Sequence, residues 1–233
     1  MFKYSKRAFA LVISLIMILS LAACGGKNNT QNADKPAATE SPANNSIVGT
    51  WKYTLDFKTV MESEGQEAYE GQQGLYESML KAFSGITLDL YFEFDDNHKF
   101  KFYADEESAK QAVEQLKSRI KDLLPDMFEA MGVSKEDYDK YLAQSGMTED
   151  ELAESYTKNM DTDDLTDMSA TGIYKAQDGK LYMANEGDDF NDSAYISYEI
   201  SGNKLRFTEF TGDVDYLGGL KDYAFPMEME RTK

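Results

Sequence analysis

Apolar and polar residues alternate along much of the chain after residue 46, and this period of two predicts half-buried strands. The pattern opens with Trp51, Tyr53 and Leu55, and Phe57 extends it. The same alternation recurs in seven later segments, which are residues 86–94, 100–102, 172–176, 181–184, 194–200, 205–207 and 223–229. Short turns rich in Asp, Asn and Gly join most neighbouring segments as hairpins. Eight strands in this order favour an antiparallel up-and-down barrel, with Pro226 facing outward or at a strand edge.

Helical spacing replaces the alternation in two stretches. Residues 73–84 carry apolar residues three and four positions apart, with Gly85 as the expected C′ residue of a helix. The second stretch, from Asp105 to Leu124, carries a longer apolar stripe, and Pro125 is expected to stop it. These patterns predict one helix between the first two strands and another after the third.

A short repeat follows the second helix. The segment Gly132–Tyr138 recurs fourteen residues later as Gly146–Leu152, and each copy places a Ser or Thr three residues before an acid. That spacing is typical of a capping box, and an apolar pair in each copy matches a hydrophobic staple, so short helices are expected at about 134–144 and 148–159. The predicted fold class is mostly β with a helical insertion (α+β), the insertion covering about residues 104–168 between strands 3 and 4.

The N-terminal segment has the pattern of an export signal. Three basic residues precede an uncharged apolar run from Ala8 to Ala23, and these 16 residues are fewer than the roughly 20 that span a bilayer. Residues Leu21 to Cys24 match all four positions of a lipobox, so the segment resembles a bacterial lipoprotein signal peptide. The resemblance implies diacylglyceryl modification of the Cys24 thiol and cleavage before Cys24. The alternative is an ordinary secretory signal with an incidental cysteine.

Lipidation of Cys24 would define both a domain organisation and a location. Residues 1–23 are expected to form the signal peptide, residues 24–46 a lipid-anchored flexible tether, and residues 47–233 the barrel domain with its helical insertion. Cys24 is the only cysteine, which excludes an intramolecular disulfide. We therefore expect a cell-envelope lipoprotein on the extracytoplasmic face of the cell membrane, with the membrane as its partner through the lipid.

The start of the first strand carries a second resemblance. Gly49-Thr50-Trp51 is a G-x-W motif, and together with eight sequential strands it resembles the lipocalin or calycin superfamily. More narrowly, the chain is similar to uncharacterised lipocalin-like lipoproteins of Firmicutes. The resemblance implies that Trp51 closes one barrel end and packs against an arginine near the end of the last strand, Arg231 or else Arg206. The helical insertion departs from this family, and a sandwich with Trp51 as a core aromatic is the alternative.

The barrel interior provides the main binding hypothesis, because an eight-stranded barrel encloses either one small ligand or packed side chains. In the first case the protein binds a small apolar ligand and the helical insertion gates the mouth. In the second it is a non-enzymatic structural or interaction module, with acidic helices as the docking surface for an envelope protein. The expected ligand-binding residues are Trp51, Tyr53, Leu90, Phe92, Phe100, Phe102, Tyr198, Phe207 and Phe225, with Phe57, Ile196 and Met227 as further lining residues.

Charge and composition argue against several other classes. The formal net charge is -18, and it is -21 after residue 46, because the first 46 residues hold five basic and two acidic residues. Nucleic-acid binding is not expected, because phosphate affinity comes from Lys and Arg. His98 is the only histidine and lies beside a predicted turn, so neither an enzyme nor a cofactor or metal site is predicted. Acid clusters at 161–164 and 188–192 leave calcium as an alternative, although neither has the EF-hand spacing.

Overall fold

The chain forms a closed antiparallel barrel in which each strand pairs with its sequence neighbours and the first pairs with the last. The structure is a computed structural model that describes residues 46–68, 73–158, 162–212, 220 and 224–232. The strands are β1 (Gly49–Asp56), β2 (Thr87–Phe94), β3 (Lys99–Ala104), β4 (Ser169–Gln177), β5 (Lys180–Ala184), β6 (Tyr195–Ser201), β7 (Lys204–Thr211) and β8 (Met227–Arg231). This confirms the predicted fold class.

Burial follows the predicted alternation along the strands. In β2 the side chains of Leu88, Leu90, Phe92 and Phe94 are buried, while those between them are half-buried. Every second residue of a strand points to the same face, so Leu90, Phe92 and Phe94 form one wall of the barrel core. The last strand begins later than predicted, at Met227; the preceding proline is exposed and outside the strand, and residue 223 lies outside the described residues.

The helices are α1 (Phe57–Ala68), α2 (Gln73–Phe83), α3 (Glu106–Ala130), α4 (Lys135–Ser145), α5 (Glu149–Thr157) and α6 (Thr162–Thr166). The bounds of α2, α4 and α5 agree with the prediction to within two residues, whereas α1 and α6 were not predicted. The prediction for Phe57 was wrong, because it begins α1 instead of extending β1. Phe57, Val60 and Met61 are buried at helical spacing, and the carboxylate of Asp56 accepts a hydrogen bond from the backbone N–H of Lys58 at 2.9 Å.

Pro125 does not stop α3, which contradicts the prediction; it lies inside the helix. The ring of Phe128, one turn later, packs against Tyr138 of α4 with 4.9 Å between ring centroids. Tertiary packing of this turn offsets the hydrogen bond that proline cannot donate. The chain leaves α3 at Gly132, whose φ of 82° is left-handed, and Gly85 after α2 has a φ of 72°, as expected of a C′ glycine.

The repeat forms two N-caps, as predicted. The Ser134 hydroxyl accepts a hydrogen bond from the backbone N–H of Asp137 at 3.2 Å. The Thr148 hydroxyl accepts one from the backbone N–H of Glu151 at 3.2 Å, and the Glu151 carboxylate accepts one from the backbone N–H of Thr148 at 2.7 Å. The second copy is therefore a reciprocal capping box, and the first is a simple side-chain cap.

The described residues fall into two compact units. The barrel unit contains the described residues up to 54, residues 89–105 and those from 166 onward; the helical unit contains residues 55–88 and 106–165. One face of α3 supplies much of the core of the helical unit, through Ala109, Ala112, Val113, Leu116, Ile120, Leu123 and Leu124.

Gly172 of β4 allows a close approach within the barrel unit, and replacing it should be destabilising. An added Cβ would collide with the Ala184 carbonyl oxygen and would lie 2.7 Å from the ring of Phe100, its cross-strand partner. We expect Gly172→Ala to lower the free energy of unfolding by about 1–3 kcal/mol through overpacking. The measurement is urea unfolding followed by the fluorescence of Trp51, the only tryptophan, which lies in the same unit.

The matched control is Gly74→Ala in α2. A Cβ at Gly74 would lie 3.5 Å from that of Ala130, an ordinary contact, and alanine is the better helix former. We expect Gly74→Ala to raise the free energy of unfolding by up to about 1 kcal/mol, measured by circular dichroism at a helical wavelength. Equal effects of the two substitutions would contradict the steric explanation.

Candidate functional site

Trp51 and Arg231 are cross-strand partners in the β1–β8 pair, where the first and last strands close the barrel. Trp51 is fully buried, and its Nε1–H donates a hydrogen bond to the Ile47 carbonyl oxygen at 2.7 Å. The Arg231 guanidinium lies 4.1 Å from the centroid of the Trp51 ring. It also donates to the carbonyl oxygens of Val48 at 2.7 Å and Ser46 at 2.6 Å. The arginine therefore joins the first and last strands by stacking and by hydrogen bonds.

The resemblance to lipocalins also involves Gly49, the glycine of the G-x-W motif, and Arg206, the alternative arginine. Gly49 has a φ of 139°, a conformation that side-chain-bearing residues rarely adopt, which accounts for a glycine at this position. Arg206 is exposed on β7, where its neighbours across the sheet are Glu199 and Glu228. The arginine that packs on the tryptophan is therefore Arg231.

Aromatic rings from separate strands meet inside the barrel. The Phe92 ring of β2 lies 4.8 Å from that of Phe102 on the neighbouring strand β3. It also contacts Phe207 of β7 edge to face, with 5.7 Å between centroids. Because β2 and β7 are not neighbours in the barrel, this second contact crosses the interior. All three rings are at most 3% exposed, so side chains fill the barrel at this level.

The other predicted lining residues differ in burial. Leu90, Phe100, Ile196 and Met227 are buried, whereas Tyr53, Tyr198 and Phe225 are half-buried. The Phe225 ring stacks on that of Phe207 at 6.4 Å between centroids and contacts Phe210 edge to face at 5.3 Å. The assignment of Phe57 to the barrel wall was wrong, because Phe57 lies in α1 and its ring stacks on Phe83 of the helical unit.

The turn between β2 and β3 is fixed by Tyr174 of β4. The Tyr174 hydroxyl donates to the Asp95 carbonyl oxygen at 2.8 Å, and its ring meets Phe94 edge to face at 5.0 Å. Burial raises the pKa of Tyr174 above its ordinary value. His98 is exposed in this turn, with its ring 5.7 Å from that of Tyr174. Tyr174 therefore holds the β2–β3 hairpin against β4.

The outer face of the barrel carries a feature that the sequence pattern did not reveal. Three lysines lie over tyrosine rings: Lys101 over Tyr103 at 4.4 Å, Lys175 over Tyr182 at 4.4 Å, and Lys180 over Tyr195 at 4.3 Å. Two further aromatic pairs continue the surface, Tyr91–Tyr103 at 5.5 Å and Tyr182–Tyr195 at 5.8 Å. All four tyrosines are half-buried. They form a half-exposed aromatic layer, which we call the lysine–tyrosine face, on β2 to β6.

Burial and polar contacts shift the pKa values of two of these tyrosines in opposite directions. Burial raises the pKa of Tyr103 to about 12, and its hydroxyl donates a hydrogen bond to the Glu93 carboxylate at 2.8 Å. The pKa of Tyr195 is lowered, first by a hydrogen bond from the Thr211 hydroxyl and then by the charge of Lys180. These partners fix the ring positions on which the lysines lie.

An acidic loop, residues 185–194 between β5 and β6, is held against this face by two ion pairs. Glu186 pairs with Lys99 at 3.0 Å, and Asp192 pairs with Lys175 at 3.2 Å. Phe190 of the same loop contributes a ring 5.5 Å from the Lys175 ammonium. The two carboxylate side chains are 71% and 85% exposed, so the loop pairs with the lysines and remains open to solvent.

Other predicted features lie partly or wholly outside the described residues. Cys24, the signal peptide and residue 161 lie outside the described residues, and so do the side chains at 163 and 164, which belong to α6. In the described part of the chain, no group of three or more His, Cys, Asp or Glu side chains could hold a metal ion. No helix within the described ranges is long and apolar enough to cross a membrane.

Comparisons with protein-family models, with curated proteins and with solved structures found no match to this chain.

Proposed function

We propose that this chain is a lipid-anchored, extracytoplasmic protein of the cell envelope, and that its lipocalin-like barrel is a packed scaffold with binding surfaces on the outside. The lipobox at Leu21–Cys24 supports the anchor. The stacking of Arg231 on Trp51, in a closed antiparallel barrel of eight strands, supports the lipocalin-like assignment. In this proposal the protein acts by binding an envelope partner and not by catalysis.

The observation that carries the scaffold role is the contact between Phe92 and Phe207 across the barrel. An eight-stranded barrel has an interior just wide enough for side chains or for one small ligand. Two phenylalanine rings from non-adjacent strands occupy that width. A ligand at this level would have to displace buried rings that pack against each other, which opposes binding.

A small apolar ligand is the second candidate function, and one observation favours it. Tyr53, Tyr198 and Phe225 are half-buried, although each lies near fully buried lining residues of its strand or segment. Aromatic side chains that keep some exposure beside a barrel interior are suited to contact an apolar molecule. This candidate places the ligand beside these three side chains and away from the Phe92–Phe207 contact.

Native mass spectrometry of the protein purified from its own envelope separates the two candidates. The scaffold role predicts the mass of the lipidated chain alone, and no saturable binding of the apolar dye N-phenyl-1-naphthylamine. Phe207→Ala is the positive control, because an apolar cavity of that size takes up apolar molecules. A co-purified apolar molecule, or dye binding by the unmodified protein equal to that of Phe207→Ala, would favour the ligand-binding candidate and exclude the scaffold role.

Substitution of Cys24 by alanine should abolish the membrane anchor. Without a thiol there is no site for the diacylglyceryl group, and two or more acyl chains are what makes such anchoring stable. We expect Cys24→Ala to lose metabolic labelling by a fatty acid, and to be found in the medium or as an unprocessed precursor. Ser20→Ala, within the same apolar run, is the control that keeps the lipobox intact. Unchanged labelling and membrane retention of Cys24→Ala would contradict the proposed anchor.

A further inference from the structure

Helix α4 is held to the rest of the helical unit by a single buried side chain. Tyr138 is the buried one of its eleven residues, Leu142 is half-buried, and the others are exposed. A helix this short has little stability of its own in water and depends on packing. The described residues therefore leave most of the surface of α4 uncovered.

The uncovered surface includes large apolar side chains. Tyr141 is 45% exposed and Met131 is 38% exposed, and among the described residues these are the two large apolar side chains that are exposed. The Tyr141 ring lies 6.1 Å from that of the half-buried Phe128, and Met131 follows Phe128 by three residues, about one helical turn. An apolar patch surrounded by polar residues is typical of a surface that binds another molecule.

The patch lies in a strongly acidic part of the chain. Residues 126–158 hold nine acidic residues and three lysines, a formal charge of -6, and all nine acids are exposed. Lys140, next to Tyr141, is already ion-paired with Glu136 at 2.6 Å. Five of the acids have no ion-pair partner among the described residues, namely Asp126, Glu129, Asp139, Glu149 and Glu154. The electric field at this surface therefore attracts cations.

A buried hydroxyl beside the patch lacks a hydrogen-bond partner. The Tyr138 ring packs on Phe128 at 4.9 Å between centroids, and Tyr138 is 2% exposed. Its hydroxyl makes no hydrogen bond to any of the described residues. Burial raises the pKa of this hydroxyl, and the nearby charges of Glu149 and Asp139 raise it further. A buried hydroxyl without a partner is unfavourable, and a donor placed between it and these carboxylates would satisfy it.

We propose that this surface docks a basic segment of a partner protein, in which an apolar side chain lies beside an arginine. The surface, which we call the acidic aromatic face, comprises Phe128, Met131, Tyr138, Tyr141, Asp139 and Glu149. The apolar side chain packs on Met131 and Tyr141. The guanidinium suits the rest of the face, because its planar fork donates to a hydroxyl and a carboxylate together and stacks on aromatic rings.

A small shift of α4 gives the guanidinium access to the Tyr138 hydroxyl, which is covered in the free protein. Few buried contacts oppose this shift, because α4 has one buried side chain. The inference rests on the proposed function, in which the protein acts by binding a partner, and it specifies the chemistry of that partner.

Charge distinguishes a basic segment from other occupants. A nucleic acid, an acidic protein or an anionic membrane would meet the local charge of -6 within a domain of charge -21. A second copy of the chain would bring the same acids to the contact, which opposes a symmetric dimer through this face.

The test is binding of a fluorescent synthetic peptide of repeated Leu-Arg-Ala-Arg units to the full lipidated chain in a neutral detergent, measured by fluorescence anisotropy. Tyr141→Ala should weaken binding about tenfold, and Tyr141→Phe, which keeps the ring, less than about twofold. The matched control is Phe190→Ala, which removes a ring from the acidic loop 185–194. Equal losses for Tyr141→Ala and Phe190→Ala would overturn the proposal.

The carboxylates provide a second test. Asp139→Asn combined with Glu149→Gln should weaken binding about tenfold, whereas Asp96→Asn combined with Glu114→Gln should change it less than about twofold. The control pair makes the same two replacements at exposed acids outside residues 126–158. Equal effects of the two pairs would reduce binding to net charge and overturn the proposal.

Tyr138→Phe separates binding from folding, because it removes the hydroxyl and keeps the ring. We expect it to weaken peptide binding by about threefold or more without lowering the free energy of unfolding, since the hydroxyl has no partner in the free protein. Urea unfolding measures the second quantity. Unchanged binding, or a loss of stability equal to the loss of binding, would overturn the proposal.

Comparison peptides test the chemistry of the partner. Replacing arginine by lysine should weaken binding, and replacing it by glutamine or glutamate should weaken it at least about tenfold. Equal binding of the glutamine peptide would overturn the proposal, and so would self-association in sedimentation that Tyr141→Ala abolishes. Failure of peptide binding would leave the proposed anchor standing, whereas unchanged labelling of Cys24→Ala would remove the anchor and leave the binding result intact.

Discussion

Replacement of Trp51 by alanine should lower the free energy of unfolding of the barrel unit by about 3–5 kcal/mol, the usual range for a buried tryptophan. The side chain is fully buried, and its removal would also leave the Ile47 carbonyl oxygen without the indole donor. The Arg231 guanidinium would lose the ring on which it stacks. Since Trp51 and Arg231 face each other across β1 and β8, we expect the damage to be greatest where the barrel closes.

Tryptophan fluorescence cannot follow the unfolding of this variant, because Trp51 is the only tryptophan. Hydrogen exchange in peptides from β1 and β8, followed by mass spectrometry in increasing urea, gives the local stability directly. Arg231→Lys should show a smaller loss on the same peptides, since lysine keeps the charge but not the planar fork that donates to two carbonyl oxygens. Arg206→Lys, on the exposed surface of β7, is the matched control and should change stability by less than about 0.5 kcal/mol. If Trp51→Ala costs no more than this control, Trp51 does not close the barrel.

The second large effect is expected for Phe207→Ala, at about 3–5 kcal/mol of unfolding free energy. Phe207 is fully buried and contacts both Phe92 and Phe225. Removing its ring leaves an apolar cavity in the middle of the barrel, where the surrounding strands can relax only partly. Urea unfolding followed by Trp51 fluorescence measures the loss.

A double-mutant cycle tests whether the cross-barrel contact itself matters. Phe92→Ala and Phe207→Ala should be coupled by about 0.5–1.5 kcal/mol, the range for an aromatic pair in contact. Phe190→Ala in the acidic loop is the control partner, because its ring lies on Lys175 at the outer surface. Its effect should add to that of Phe92→Ala within about 0.5 kcal/mol. Additivity of the Phe92 and Phe207 substitutions would show that the two rings do not stabilise each other.

Strand alternation was sufficient to predict the barrel, because the buried face of each strand is encoded within a few neighbouring residues. The alternation gave a wrong prediction at Phe57. This residue has the correct parity for β1, but with Val60 and Met61 it also has the i, i+3, i+4 spacing of a helix. A short apolar segment can satisfy both periods, and contacts distant in sequence decide between them. Here the Phe57 ring stacks on that of Phe83 in α2, with 6.3 Å between centroids.

At Pro125 the local sequence again gave a wrong prediction, this time of the end of a helix. Its local preference is to end a helix, but packing of Phe128 against Tyr138 maintains another turn. The capping signals at Ser134 and Thr148 were reliable because each cap is completed within three residues.

The lysine–tyrosine face could not be predicted from the linear sequence. Lys101 and Lys175 are 74 positions apart, and their order along one row depends on the register between β3 and β4. Most of the predicted interior residues could be identified because burial follows the alternation along each strand; Tyr53, Tyr198 and Phe225 are only half-buried. The arginine that stacks on Trp51 could not be identified from the alternation. Two arginines near the last strands were candidates, and the β1–β8 register distinguishes Arg231.

The junction of β1 and β8 also constrains when the molecule can fold. β8 follows every other strand in the chain, and its Arg231 reaches back to carbonyl groups more than 180 positions earlier. During synthesis, the barrel therefore cannot close until residues 227–231 have left the ribosome, and β1 and β7 remain open edges until then. Under the proposed export through a membrane, this delay would favour translocation, because an unclosed chain can still be threaded as an extended strand.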